Sequence, residues 1–142
     1  MVERDNARIY EVINFYKQFH QYSYNTESEL FYHIYPSFVH GQYRIYRDGN
    51  DIIGFCNWCF LNDITQAKFI KSGIISPDQW KSGENLWMHD VVASKNTVRI
   101  LKDIKKMCLI MIGNRKQVNY LRIKNSEIFA RRKIQTKNHW GK

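Results

Sequence analysis

The chain has few residues that interrupt structure, with 2 prolines and 7 glycines in 142 residues. Without a Pro- or Gly-rich stretch there is no linker at which to divide it, and its length suits one domain, residues 1–142, that buries its own core. Long apolar runs are also lacking. Nothing approaches the roughly 20 consecutive apolar residues that span a bilayer, and the opening Met1-Val2-Glu3-Arg4-Asp5-Asn6 is largely charged or polar. The expectation is a soluble, cytoplasmic protein. Three cysteines are too few and too odd in number for a disulfide framework, which fits reduced thiols. Cys56 and Cys59 have Cys-x-x-Cys spacing, but they lie in the apolar run Ile52 to Leu61, which reads as a strand. Residues three apart on a strand point to opposite faces, so the pair is expected to be structural rather than redox-active or metal-binding.

Several kinds of catalytic motif are missing. The sequence has no Gly-x-Ser-x-Gly elbow, Walker A loop, His-Glu-x-x-His pair or Gly-x-Gly-x-x-Gly fingerprint, which removes the common hydrolase, nucleotide, zinc-peptidase and dinucleotide readings. Acidic residues are scarce in the last third. Residues 99–142 carry 13 Lys and Arg against 2 Asp and Glu, whereas residues 1–98 carry 9 against 11. A basic face built from Lys116, Arg122, Lys124, Arg131, Arg132 and Lys133 would attract an acidic protein or, with Tyr120 and Phe129 nearby, nucleic acid.

Periodicity supplies the elements. Ile9, Val12, Ile13, Tyr16, Phe19 and His20 follow helical spacing, which places His20 at the inward edge of the first helix's last turn. Thr26 and Glu29 form a capping box for a second helix, expected to end at Pro36. Gln42 to Tyr46 and Asp51 to Leu61 read as a hairpin over Asp48-Gly49, with the second strand apolar on both faces and therefore central. A helix follows, with Asp63 as its N-cap and Gly73 just past its end. Leu86 to Ala93 is the next strand, then a helix through Ile112, then a hairpin over Gln117 to Lys124 and Glu127 to Lys133. This order predicts an α/β (α+β) fold around a largely antiparallel sheet.

The stretch Trp80 to Asp90 concentrates the chemistry. Ser82-Gly83 makes a turn, an apolar strand follows, and Asp90 lies inside that strand. Strict alternation puts Met88, Asp90 and Val92 on one face and Trp87, His89 and Val91 on the other, so His89 and Asp90 are expected to point apart.

Arg47-Asp48-Gly49, Ile53-Gly54-Phe55-Cys56-Asn57-Trp58, Trp80-Lys81-Ser82-Gly83 and Trp87-Met88-His89-Asp90 occur in that order. Over Gln42 to Ala93 the chain resembles the RTX toxin-activating lysine acyltransferases, in which a basic-Asp turn leads to a Cys-Ser-Trp strand and an Asp-Trp-x-Ser-Gly turn leads to a Trp-x-Ile-Asp strand. The resemblance implies an N-acetyltransferase-like fold and transfer of a fatty acyl group from acyl carrier protein to a protein lysine. It also implies no permanently bound cofactor and a catalytic His and Asp. The Asp carries over to Asp90. The family's His lies in a loop before the second helix, upstream of a Leu-Phe pair; here Leu30-Phe31 is that pair and His20 is the nearest upstream histidine. His33 lies within the second helix and reads as core or rim, while His40 and His139 sit in a loop and a tail. A histidine oriented by a carboxylate can take the proton that a lysine must lose before it attacks a thioester.

Departures from the family pattern are specific. The strand ends Val92-Ala93-Ser94-Lys95 where the family has Ile-Ala-Pro-Phe-Gly, and His89 stands at an apolar position. The absence of glycine after Ala93 also disfavours coenzyme A as donor, because a Gly-rich turn is what brings backbone N–H groups to its pyrophosphate. A second reading therefore accompanies the first: a non-catalytic protein on the same fold, using its basic last third to meet nucleic acid or an acidic partner.

Overall fold

The computed structural model describes residues 2–112, 117–124 and 127–134, with side chains described over 7–112 and 118–120. The elements are α1 (Val2–Tyr16), α2 (Glu27–Val39), β1 (Tyr43–Asp48), β2 (Asp51–Leu61), α3 (Asp63–Ser72), β3 (Asn85–Ala93), α4 (Thr97–Ile112), β4 (Gln117–Lys124) and β5 (Glu127–Ile134), with short 3₁₀ turns at His20–Tyr22 and Pro77–Gln79. The strands form one sheet in the order β1-β2-β3-β4-β5. Every pairing is antiparallel except β3 with β4, which α4 joins as a crossover. This is the α+β, largely antiparallel arrangement expected from the element order.

Helices cover both faces of the sheet. On one face Ile9, Val12, Ile13, Phe15 and Tyr16 of α1 pack with Leu30 and Ile34 of α2 against Phe55 and Val92. Farther along the same face, Phe69 of α3 meets Cys59, Leu61, Trp80 and Trp87. Ile100, Ile104, Cys108 and Ile112 of α4 cover the other face, against Ile53, Cys56, Trp58, Leu86 and Val118. Cys56 and Cys59 therefore lie on opposite faces, buried and unpaired, as the strand spacing requires.

Helix boundaries differ from the sequence reading at two places that matter for the site. The first helix ends at Tyr16, because Gln18 and Phe19 donate to carbonyls three residues back, at 3.2 and 3.0 Å, and this tighter winding closes the helix. His20 thus falls outside α1. The second helix runs through Pro36 to Val39, with Pro36 and Ser37 buried against the core, so tertiary packing offsets the missing N–H of proline. Its N-terminus has the expected capping box, Thr26 Oγ1 accepting from Glu29 N and Glu29 Oε1 from Thr26 N. On α3 the cap is Asn62 rather than Asp63, with Asn62 Oδ1 accepting from Thr65 N at 2.7 Å.

Gly83 is fixed by close approach and not by backbone conformation. A Cβ there would overlap the backbone of Leu61 and Asn62, while Ser82 N and Gly83 N both donate to Phe60 O. This turn seats the start of β3 against the end of β2.

Candidate active site

The ladder between β2 and β3 pairs Asn57 with Asp90 and Trp58 with Met88, so His89 has no partner of its own and forms a β-bulge. A bulge reverses the alternation beyond it. Leu86 and Met88 pack toward α4, whereas Val92, past the bulge, packs with α1 and α2. Asp90 is thereby turned to the α1 and α2 face. The expected separation of His89 from Asp90 is corrected accordingly: His89 Nδ1 lies 4.0 Å from Asp90 Oδ2.

Asn57 holds the bulge. Its Oδ1 accepts from Asp90 N at 2.9 Å and lies 3.3 Å from His89 Nδ1, and its Nδ2 donates to Ser37 Oγ at 3.2 Å. Ser37 Oγ in turn donates to Ile34 O at 2.7 Å, so the bulge is tied to the inward face of α2.

Three side chains converge on the Asp90 carboxylate. His33 Nε2 is 2.6 Å from Oδ2, Tyr16 OH donates to the same oxygen at 2.6 Å, and Tyr22 OH reaches Oδ1 at 3.5 Å. Burial works against a charged Asp90, but the His33 and His89 rings and the Tyr16 hydroxyl outweigh it and hold the carboxyl at about 2. For His33, burial again opposes charge, and the neighbouring carboxylate wins, raising the imidazole above its ordinary 6.5. Burial dominates at His89 and pulls it down to about 4, so that ring is neutral at pH 7. Burial followed by the Asp90 charge keeps Tyr16 and Tyr22 well above the usual phenol range, as hydrogen-bond donors.

His20 does not join this group. It is exposed in the 3₁₀ turn, its ring edge against Tyr24 at 5.9 Å, and the contact it was expected to make with Asp90 is made by His33. The signal for His33 was present in the sequence. It shares the stripe of α2 that carries the buried Leu30, Ile34 and Ser37 at three- and four-residue spacing. Its aromatic neighbours masked it as a core residue.

Two cavities flank the His33–Asp90 pair. One, of about 630 Å³, is lined by Tyr22, Glu29, Tyr32, His33, Ile74 and His89 among others. The other, of about 560 Å³, lies toward α4 and includes Met88, Asp90, Val91, Leu101, Ile104 and Val118. It opens where β3 and β4, paired at Trp87↔Asn119 and Met88↔Tyr120, pair no further in the described register. Tyr22 and His89 line both cavities.

His33, His89 and Asp90 are also the described residues that approach closely enough to hold a metal, their ligand atoms within 4.8 Å of one another. The fit is poor, because His33 Nε2 is already engaged with Asp90 Oδ2, to which Tyr16 OH also donates. Of the basic face, Lys116 lies outside the described residues. Arg122 and Lys124 fall on β4 and Arg131, Arg132 and Lys133 on β5, with their side chains outside the described set. Among the described residues no helix is long and apolar enough to cross a membrane.

A family model for the RTX toxin acyltransferases matches residues 7–137. The leukotoxin-activating lysine-acyltransferase LktC serotype A1 of Mannheimia haemolytica is 35% identical over 74 residues, 51% of this chain and 43% of that protein. Lysine-acyltransferase RtxC of Vibrio cholerae is 32% identical over 69 residues, 46% of this chain and 44% of its own length. The chain thus aligns with less than half the length of each of these relatives. With the family model running over nearly all of it, the chain belongs to the RTX toxin acyltransferase family.

Proposed function

We propose that the protein is a protein-lysine acyltransferase, moving an acyl group from the thioester of an acyl carrier protein to the ε-amine of a lysine on another protein, with His33 as general base and Asp90 as its orienting carboxylate. Family membership supports the reaction class. The observation that carries the residue assignment is the 2.6 Å contact between His33 Nε2 and Asp90 Oδ2, half sheltered and between two cavities. His33 and not His20 takes the role first given to the upstream histidine.

The chemistry follows from the contact. With Nε2–H donated to Asp90, the lone pair of neutral His33 is on Nδ1. A lysine ammonium, of ordinary pKa about 10.4, passes one proton to solvent, and Nδ1 takes a second as the amine attacks the thioester carbonyl. The C–N bond forms, the C–S bond breaks, and the imidazolium returns its proton to the departing thiolate. Asp90 steadies the imidazolium throughout. No resident cofactor takes part; the acyl-loaded carrier is a co-substrate. The apolar cavity toward α4 suits an acyl chain, through Met88, Val91, Leu101, Ile104 and Val118. Asn96, not glycine, precedes α4 at φ +52°, which supports a carrier over coenzyme A. Three unpaired buried cysteines suit a reducing cytoplasm.

The test is incubation with a carrier protein bearing a labelled acyl group. Label should pass to lysine, and Asp90→Asn should slow transfer by about a hundredfold or more. Failure to consume either a carrier or a coenzyme A thioester would remove the enzymatic reading.

A further inference from the structure

We propose that the cavity bounded by α2, the segment after α3 and β3 is the acceptor port, which admits a lysine flanked by apolar residues on an exposed protein segment, while the donor occupies the cavity toward α4. This rests on the acyl-transfer reading and divides its site between the two substrates.

Access to the base decides which substrate goes where. His33 Nε2 is occupied by Asp90, so the proton must be taken at Nδ1. His33 lines the α2 cavity and not the α4 cavity, whereas Asp90 lines the α4 cavity and not the α2 cavity. The amine that surrenders its proton therefore belongs on the α2 side. The walls agree. Glu29 lines the α2 cavity, held below its ordinary value by hydrogen bonds from Thr26, and its charge complements an incoming ammonium. The α4 cavity is the more apolar of the two, with Leu101, Ile104, Cys108 and Val118 behind Met88, which fits an acyl chain better than a cation.

The rim indicates a protein rather than a free amine. Tyr32 and Ile74, both lining the cavity, are 71% and 72% exposed, and large apolar side chains left open at a cavity mouth are what a peptide's flanking residues can cover. Tyr22 and His89, common to both cavities, mark the partition across which amine and thioester meet.

The experiment compares two acceptors with one acyl-loaded carrier: n-butylamine, and a synthetic peptide with a single lysine between leucine and valine. The ratio of kcat/KM for peptide over butylamine should exceed unity and fall about tenfold in Tyr32→Ala and in Ile74→Asp. Leu101→Asp should instead raise the KM for the carrier and leave the ratio alone. Ile110→Asp, at an exposed site of α4 outside both cavities, controls for surface charge and should change neither. A ratio near unity in the unaltered protein, or one insensitive to Tyr32 and Ile74, overturns the port. So does a ratio that responds to Leu101 instead. No turnover with either acceptor removes the acyl-transfer reading itself, and the port with it.

Discussion

At the scale of single residues, Asp90 is held by three donors, and one of them, Tyr16, also packs in the core between α1 and α2. Its hydroxyl is buried and directed at the oxygen that also faces His33. Removing it leaves the full carboxylate charge to His33, which favours the imidazolium and raises the base's pKa further. In the proposed reaction the base is neutral His33, so activity should rise with pH through a value above 6.5, and in Tyr16→Phe this limb should move to higher pH. A pH profile of kcat/KM checks this; an unshifted limb would mean that Tyr16 only packs. His20 shows how a residue can be misjudged. Its helical spacing from Tyr16 was genuine, but the chain winds into 3₁₀ geometry just after Tyr16, and that depends on hydrogen bonds at the helix end that periodicity does not record.

At the scale of elements, the bulge in β3 creates the site. Hairpins, caps and the order of strands could be read from local chemistry: Asp48-Gly49 between strands, Thr26 with Glu29, Gly73 in the left-handed region at φ +71°. The bulge could not, because an extra residue in one strand is defined only by what the partner strand does opposite it. One position of slippage moved Asp90 from the α4 face to the α1 and α2 face. Asn57 secures that arrangement from the neighbouring strand, so Asn57→Ala leaves a part-buried Asp90 N–H without its acceptor and should cost about 1–3 kcal/mol. Urea denaturation checks the cost. The same variant should lose acyl transfer out of proportion to its loss of folded protein, since His33 and Asp90 would no longer be registered.

At the scale of the whole molecule, the sheet is the frame that brings α1, α2 and β3 to one carboxylate, and its charges set how stability follows pH. His89, neutral and largely sheltered with a pKa of about 4, is protonated more readily when unfolded, at an ordinary 6.5. Its contribution is complete above 6.5 and is lost as pH falls toward 4, a change of about 3 kcal/mol. His33, shifted the other way, is protonated in both states over that window and adds no slope there. Stability should therefore decline from pH 6.5 to 4, and His89→Gln should flatten the decline, as read from denaturation midpoints across the range. An equally steep decline in the variant would place the loss elsewhere. The fold class was visible in the sequence because it follows from the order of elements along the chain, and the family resemblance because it rests on ordered motifs between Gln42 and Ala93. The histidine that completes the site lies upstream of those motifs, and only packing of α2 on the sheet brings it to Asp90.

The pairing of His33 with Asp90 is tested most directly by transfer rates from an acyl-loaded carrier to lysine, measured side by side for His33→Gln and His20→Gln. The structure predicts a loss of about a hundredfold or more for His33→Gln and a change within about twofold for His20→Gln. The reverse order, with His20→Gln inactive and His33→Gln near normal, would contradict it.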